Sequence, residues 1–557
     1  MSPSSAEVSK IAVDRIEEVG TNTSFDADTA KKGNYEIKRT QDSRFAAILA
    51  AHKPNPLSRS LLLLYPILFV AFMNSAANGF DGNTFGGVSA VPNFQDRFGT
   101  NVAASQGFLA AIYILEVDER AGNVLGSFVA GPLADHFGRR RGMFIANVVV
   151  CIGTIVQAAA FKRRDMIVGR VILGVGSVML GPSAQSYTVE ISHPAYRGVM
   201  MGLYNGCYFI GAIVSTWLEY GIVDDTKGDL NWRLPMATQA LPCIVVLAFV
   251  WFIPESPRWL MSRGREEEAL RILTKYHGDG NPEHEIVQIE MEEMREAIKT
   301  AGSDKRWYDY RELVNTPSAR HRMFLVLCIG FFGQIDLPPT SYYMPLMAKN
   351  AGVTSTKQQL LMNALQSPIM MLGTILGVRF IDRAGRRPML MGSSSICSFC
   401  VLMVVICSAL QDKNPHLGMV GISFVYVFLF AFAFVWTPCQ ALYPSEVLSY
   451  NARAKGLAMS GLWLNIVSFI NTYAAPVGIT NSGWKFYILY LAVDVTGIFI
   501  IYFFFVETKV SFQPKQQQEH LLILKQGRSL EEIDEIFADP HPVKASLKKQ
   551  EVVVVKE

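Results

Sequence analysis

The chain has 557 residues, of which 50% are hydrophobic and only 18% charged, and its mean hydropathy is +0.23. A soluble chain of this length carries about 25% charged residues. Here the charge is gathered into short loops between long apolar runs, which excludes a soluble enzyme, a disordered scaffold and a secreted disulfide framework. A formal net charge of only +3, with no basic stripe, excludes a nucleic-acid-binding surface.

The first 59 residues are polar and show no signal-peptide pattern. Twelve apolar segments follow, each close to the roughly 20 residues that a helix needs to cross a hydrocarbon core of about 30 Å. Six fall at 60–80, 105–134, 143–161, 166–187, 199–220 and 236–253, and six at 322–344, 359–381, 388–409, 418–444, 455–475 and 484–506. The stretch 254–321 is too charged to enter lipid and holds helix-like segments at Arg265–Tyr276 and Glu285–Lys299. The sequence therefore predicts an all-α membrane protein. A cytosolic tail (1–59) leads into a first six-helix bundle (60–253), a cytosolic linker with short helices (254–321), a second six-helix bundle (322–506) and a cytosolic tail (507–557).

Lysine and arginine in short loops set the orientation. Asp135-His-Phe-Gly-Arg-Arg-Arg141, Asp382-Arg-Ala-Gly-Arg-Arg387 and the stretch with Arg258, Arg263 and Arg265 all fall on one face, expected to be cytosolic, with both termini. The opposite loop around Asp224, Asp225 and Asp229 is acidic. All eight cysteines lie in apolar stretches, and Cys397-x-x-Cys400 has no second pair or nearby histidine to complete a metal site. They read as small buried hydrophobes, and no cofactor is implied.

The loops repeat at half the chain's length. Asp135-x-x-Gly138-Arg-Arg closes the second span and Asp382-x-x-Gly385-Arg-Arg the eighth. Glu190-x6-Arg197-Gly198 follows the fourth and Glu446-x6-Arg453-x-x-Gly456 the tenth; Pro254-Glu-Ser-Pro-Arg258 ends the sixth and Glu507-Thr-Lys509 the twelfth. In these motifs the chain resembles the sugar porter family of the major facilitator superfamily, over about residues 60–509, with Pro254-Glu-Ser-Pro-Arg-Trp-Leu260 among the most specific strings. Within that family it looks most similar to fungal lactose and cellodextrin permeases, through Arg197-Gly-x6-Asn205, Asn231-Trp-Arg-Leu-Pro235 and Trp436-Thr-Pro-x-Gln-Ala-Leu-Tyr-Pro-Ser-Glu446. The resemblance implies the major facilitator fold: two pseudo-symmetric bundles around a central site that opens alternately to each side.

Charges at the membrane are costly and mark function. The resemblance makes Asp135, Glu190, Glu255, Asp382, Glu446 and Glu507, against Arg139, Arg197, Arg258, Arg386 and Arg453, a cytosolic gate. A pair between two moving bodies forms in one state and breaks in the other, biasing the equilibrium without touching substrate. Asp81, after Gly79-Phe80, stands where proton-coupled members of the family carry an aspartate, and Arg170 matches their partner arginine. Sugar recognition needs polar side chains and flat aromatic faces around a cavity. Candidates are Asn205, Gln334, Tyr342, Tyr343, Trp436, Gln440, Trp463 and Asn465. Asn205 is the disaccharide-like choice, whereas Asp336 and Pro338-Pro339 depart from the family's seventh span.

Two segments depart from the pattern. Glu116-Val-Asp-Glu-Arg-Ala121 places four charges inside the second span, a cost on the order of 10 kcal/mol. Val510–Gln526 inserts 17 residues between Glu507-Thr-Lys509 and Gly527-Arg-Ser-Leu-Glu-Glu. Val-Ser and Gln codons fit intron borders, so 510–526 reads as a translated intron and 116–121 as a misplaced splice acceptor. The leading expectation is a monomeric plasma-membrane symporter of a sugar, a disaccharide such as lactose or cellobiose, with a proton. A hexose or polyol/quinate-type porter and a non-transporting sugar sensor are the alternatives; no enzyme motif stands out.

Overall fold

Apolar chain in lipid must satisfy every backbone amide and carbonyl internally, and a helix does so within one segment. The structure, a computed structural model, describes residues 55–98, 136–225, 228–301, 310–335, 340–411, 413–414, 416–449, 453–508, 533, 536–537, 539 and 542–547. The first half holds α1 (Arg59–Val88), α2 (Pro92–Phe98), α3 (Arg139–Ala158), α4 (Arg163–Ile191), α5 (Arg197–Asp225), α6 (Leu230–Thr238) and α7 (Ala240–Phe249). The linker folds as α8 (Pro257–Ser262), α9 (Glu266–Tyr276) and α10 (Glu285–Ala301). The second half holds α11 (Pro317–Ile335), α12 (Thr340–Asn350), α13 (Thr356–Ala384), α14 (Arg386–Leu410), α15 (His416–Val447), α16 (Arg453–Ser482) and α17 (Phe486–Phe504), and a short α18 (Pro542–Leu547) follows. The expected second span 105–134, with Glu116–Ala121 and Asp135, lies outside the described residues, as does Val510–Gln526.

Nine stretches among the described residues are long and apolar enough to cross a membrane, and the last of them contains both α16 and α17. Several helices outrun their hydropathy. The first span was expected to end at 80, yet α1 runs on to Val88. The reason is local: Asn83 and Thr84 return their side chains to the carbonyls of Gly79 and Phe80 at 2.8 Å each, so polar residues stay helical while buried. The expected seventh span at 322–344 falls on α11 and α12, and Asp336 and Pro338-Pro339 between them lie outside the described residues.

Small residues bring helices together where lipid supplies no hydrophobic drive between them. A Cβ on Gly79 in α1 would stand 1.9 Å from the Tyr208 carbonyl oxygen of α5, and one on Gly377 in α13 would stand 1.7 Å from that of Phe434 in α15. The linker helices share an apolar core of Leu260, Met261, Ala269, Leu273, Val287, Met291 and Met294. The halves meet at the end away from the arginine loops. There Phe85 and Val88 of the first half share a cluster with Leu346, Phe469, Ala475 and Phe486 of the second, and Lys357 Nζ lies 5.5 Å from the Tyr220 ring.

Candidate functional site

The loops closing the second and eighth spans carry one turn, used twice. Gly138 and Gly385 both sit at φ 95°, with ψ 163° and 156°, where a Cβ is strongly disfavoured. After each, a helix begins whose first amides lack intrahelical acceptors. Glu255 accepts from the amides of Arg139 and Arg140 at 3.0 and 3.1 Å, and Glu507 accepts from those of Arg386 and Arg387 at 3.0 Å each. Carboxylates at these positions also oppose the positive end of the helix dipole.

Arg139 donates from Nε and Nη2 to the two oxygens of Glu190, both at 3.0 Å. Arg386 does the same to Glu446, at 3.2 and 2.8 Å. The hydroxyls of Ser256 and Thr508 donate to the same two glutamates. Tyr187 and Tyr443, one turn earlier, donate to the carbonyls of Pro254 and Val506 at 2.9 and 3.0 Å. Two-pronged guanidinium–carboxylate pairs are strong and directional, so each cluster fixes three helix ends of its own half.

Pairing of the gate charges across the halves is expected in the state closed to the cytosol. In this structure Arg139, Glu190 and Glu255 gather within the first half and Arg386, Glu446 and Glu507 within the second. Arg197 donates to Glu290 of α10 at 3.4 Å, reaching into the linker, and Arg258 pairs with Glu293 within the linker at 3.7 Å. Asp135 lies outside the described residues, as do the side chains of Asp382 and Arg453.

Asp81 on α1 and Arg170 on α4 are both fully buried. Ser177, two turns after Arg170, donates its hydroxyl to Asp81 Oδ2 at 3.1 Å. The guanidinium carbon of Arg170 lies 4.2 Å from the centre of the Phe85 ring, one turn beyond Asp81. Away from water, such a cation–ring contact is worth about 2 kcal/mol. Acid and arginine are thus held by different neighbours while the arginine's charge still acts on the acid. Asp81 Oδ1 has no hydrogen-bond partner among the described residues, which leaves one oxygen of a buried carboxyl open to a proton.

Of the sugar candidates, Gln334 and Gln440 stand on the packed helices α11 and α15. The Gln440 amide packs against Gly333, where a Cβ would stand 2.0 Å from its Nε2. The Gln334 backbone carbonyl accepts from the Asn471 side-chain amide, whose oxygen in turn accepts from the Tyr490 hydroxyl at 2.6 Å. Trp436 is buried and stacks on Phe432 with centroids 6.2 Å apart. Trp463 turns away, donating to the Leu327 carbonyl at 3.0 Å and lining an apolar groove of 460 Å³ with Phe324, Phe331 and Ile500. Asn205 is exposed on α5 and Asn465 half-buried on α16. Tyr342 and Tyr343 belong to α12, with side chains outside the described set.

Over residues 67–519 the sequence matches the family described as sugar (and other) transporters. The chain belongs to that family. An MFS-type transporter of Aspergillus cristatus is 25% identical to it over 85% of this chain and 95% of its own. A high-affinity glucose transporter of Kluyveromyces lactis is 27% identical over 86% of both, and a quinate permease of Neurospora africana 26% identical over 89% of this chain and 95% of its own. Among solved structures, the inward-open conformation of the xylose transporter XylE from E. coli superposes with a TM-score of 0.68 at 19% identity, covering 85% of this chain and 99% of that one. The partially occluded inward-open form of XylE gives 0.65 at 20%, over 79% and 98%. The fold is therefore that of the major facilitators, with two pseudo-symmetric helical bundles, and the protein is a sugar porter, a membrane transporter and not an enzyme.

Several residues of this sugar porter's clusters escape a reading of its charges alone. Tyr187 and Tyr443 each stand three residues before the paired glutamate, and Ser256 and Thr508 each follow the capping one. The signal was present, since Tyr-x-x-Glu and Glu-Ser/Thr recur at the same places in both halves. Ser177 left no such trace: a serine in an apolar span looks like any other until the fold sets it against Asp81.

Proposed function

We propose that the protein carries a disaccharide such as lactose or cellobiose together with a proton across the plasma membrane, by alternating access, as a monomer with both termini cytosolic. The observation that carries the reading is Asp81, fully buried, bonded to Ser177 through one oxygen and free to take a proton on the other, under the charge of Arg170. Protonation removes the negative charge that Arg170 acts on and loosens α1 from α4. Sugar binding between the halves, at Asn205, Gln334, Tyr342, Tyr343, Trp436, Gln440 and Asn465, then selects the rearranged state.

The charge clusters make each bundle end rigid, so the bundles move as bodies. With the halves in contact away from the arginine loops, Arg139, Glu190 and Glu255 pair among themselves in the first half and Arg386, Glu446 and Glu507 in the second. We place their meeting in the state closed to the cytosol. A hexose or quinate as substrate is the second reading, favoured by the glucose and quinate relatives.

Uptake of labelled lactose, cellobiose, glucose and quinate by transport-deficient yeast expressing the full chain separates these. Saturable uptake of a disaccharide supports the first reading, and uptake of glucose or quinate alone supports the second. No uptake with protein at the cell surface overturns both and leaves the sugar sensor.

A further inference from the structure

The linker helix α9 crosses the first turn of α1, and a groove of 570 Å³ runs between them. Its shape is fixed by a tie: the Ser60 hydroxyl donates to Asp279, which stands at φ 48° between Gly278 and Gly280. Three cations line it, Arg59 from α1 with Arg271 and Lys275 from adjacent turns of α9, against one lining acid, Asp279. All three are exposed. Two of the three acids in the first turn of α9 are engaged elsewhere, Glu266 by Arg295 at 2.9 Å and Glu268 by Arg265 at 2.5 Å, while Glu267 stands one turn before Arg271 and is not among the groove's lining residues. On the α1 side the groove continues onto Leu63, which is 49% exposed, as is its neighbour Leu62. A basic hollow therefore opens beside an apolar strip at the level where a spanning helix enters the membrane.

We propose that this groove holds the phosphate-bearing headgroup of an anionic phospholipid, its acyl chains lying along Leu62 and Leu63. The proposal rests on the orientation argued above, which puts the groove in the cytosolic leaflet. That leaflet is rich in anionic lipid, and each cation near its surface contributes about five-fold to binding. A bound lipid adds a bridge between α1 and the linker beside the Ser60–Asp279 tie and the apolar packing of Ile272 and Tyr276 with Leu61, Leu64 and Leu68.

The test is native mass spectrometry of the purified full chain, titrated with phosphatidylinositol, phosphatidylcholine and soluble inositol phosphate. Phosphatidylinositol is expected to stay bound and phosphatidylcholine to dissociate. Arg271→Gln should weaken retention about five-fold, and Arg59→Gln/Arg271→Gln/Lys275→Gln together about a hundred-fold. Arg320→Gln, exposed at the same end outside the groove, should bind as the parent does. Equal retention of both lipids, undiminished binding in Arg271→Gln and the triple variant, or displacement by inositol phosphate at equal concentration overturns the proposal, the last by making the site one for soluble phosphates. Because the readout is bound mass and not uptake, its failure leaves the transport reading standing, and a failure of transport leaves the lipid site standing.

Discussion

Arg386 grips both oxygens of Glu446, at 2.8 and 3.2 Å, and Arg139 grips Glu190 in the same way in the other half, at 3.0 Å. The pairs lie largely out of water, with side-chain exposures of 5% and 21% in one and 13% and 9% in the other. Removing one partner strands a desolvated charge. Arg386→Ala and Arg139→Ala are each expected to lower stability by about 3 kcal/mol. Arg258→Ala breaks a pair that is 47% and 50% exposed and should cost less than about 1 kcal/mol. Thermal melting of the purified variants checks the order; an equal loss in all three would contradict it.

The turn that feeds these pairs gives a second expectation. A Cβ on Gly138 or Gly385 would stand 2.5 Å from Glu255 Oε2 or 2.8 Å from Glu507 Oε2, and both glycines hold φ near +95°. Alanine there adds backbone strain of about 1–3 kcal/mol and pushes the capping carboxylate off its amides. Gly264→Ala, at φ +74° with open space around it, adds the strain alone. Melting temperatures should fall further for Gly138→Ala and Gly385→Ala than for Gly264→Ala.

Acid should weaken the contact between the fourth span and the linker. Burial, then the neighbouring His277, lower the His193 pKa from 6.5 to about 4. Its Nδ1 accepts the Ala195 amide at 3.2 Å, which a protonated ring cannot do. The unfolded chain therefore holds more protons between pH 6.5 and about 4, and the contribution present above 6.5 is lost as pH falls through that window. His193→Gln should flatten the pH dependence of melting there; an unchanged slope would contradict the assignment.

The fold was legible because its two signals are strong. Apolar length marks a span, and paired charges repeated in both halves mark a loop. The end of α1 was hidden because Asn83 and Thr84 look like loop residues and are kept helical by bonds to their own backbone. Partner choice was less legible than identity. The sequence marks Arg139, Glu190, Arg386 and Glu446 as charges in matching loops, but which helix ends they join depends on geometry that only the turns at Gly138 and Gly385 create. Trp463 shows the limit for binding residues: placement in a span does not tell a cavity from an apolar groove.

The two departures in sequence make a prediction at the level of the transcript. If Glu116–Ala121 and Val510–Gln526 are splicing residues, the mature messenger RNA lacks both, and a chain without Glu116–Ala121 reaches the cell surface in larger amount. Continuous in-frame reads through both sites would sink the idea.

The central claim is that Asp81 couples sugar movement to a proton. The direct measurement is the initial rate of uptake of the transported sugar at acidic and neutral external pH, in the parent and in Asp81→Asn. The parent is expected to run faster at acidic pH, while Asp81→Asn, unable to take up or release a proton there, loses accumulation against a gradient and the dependence on pH. A variant that still accumulates sugar, with the parent's response to pH, would contradict the account.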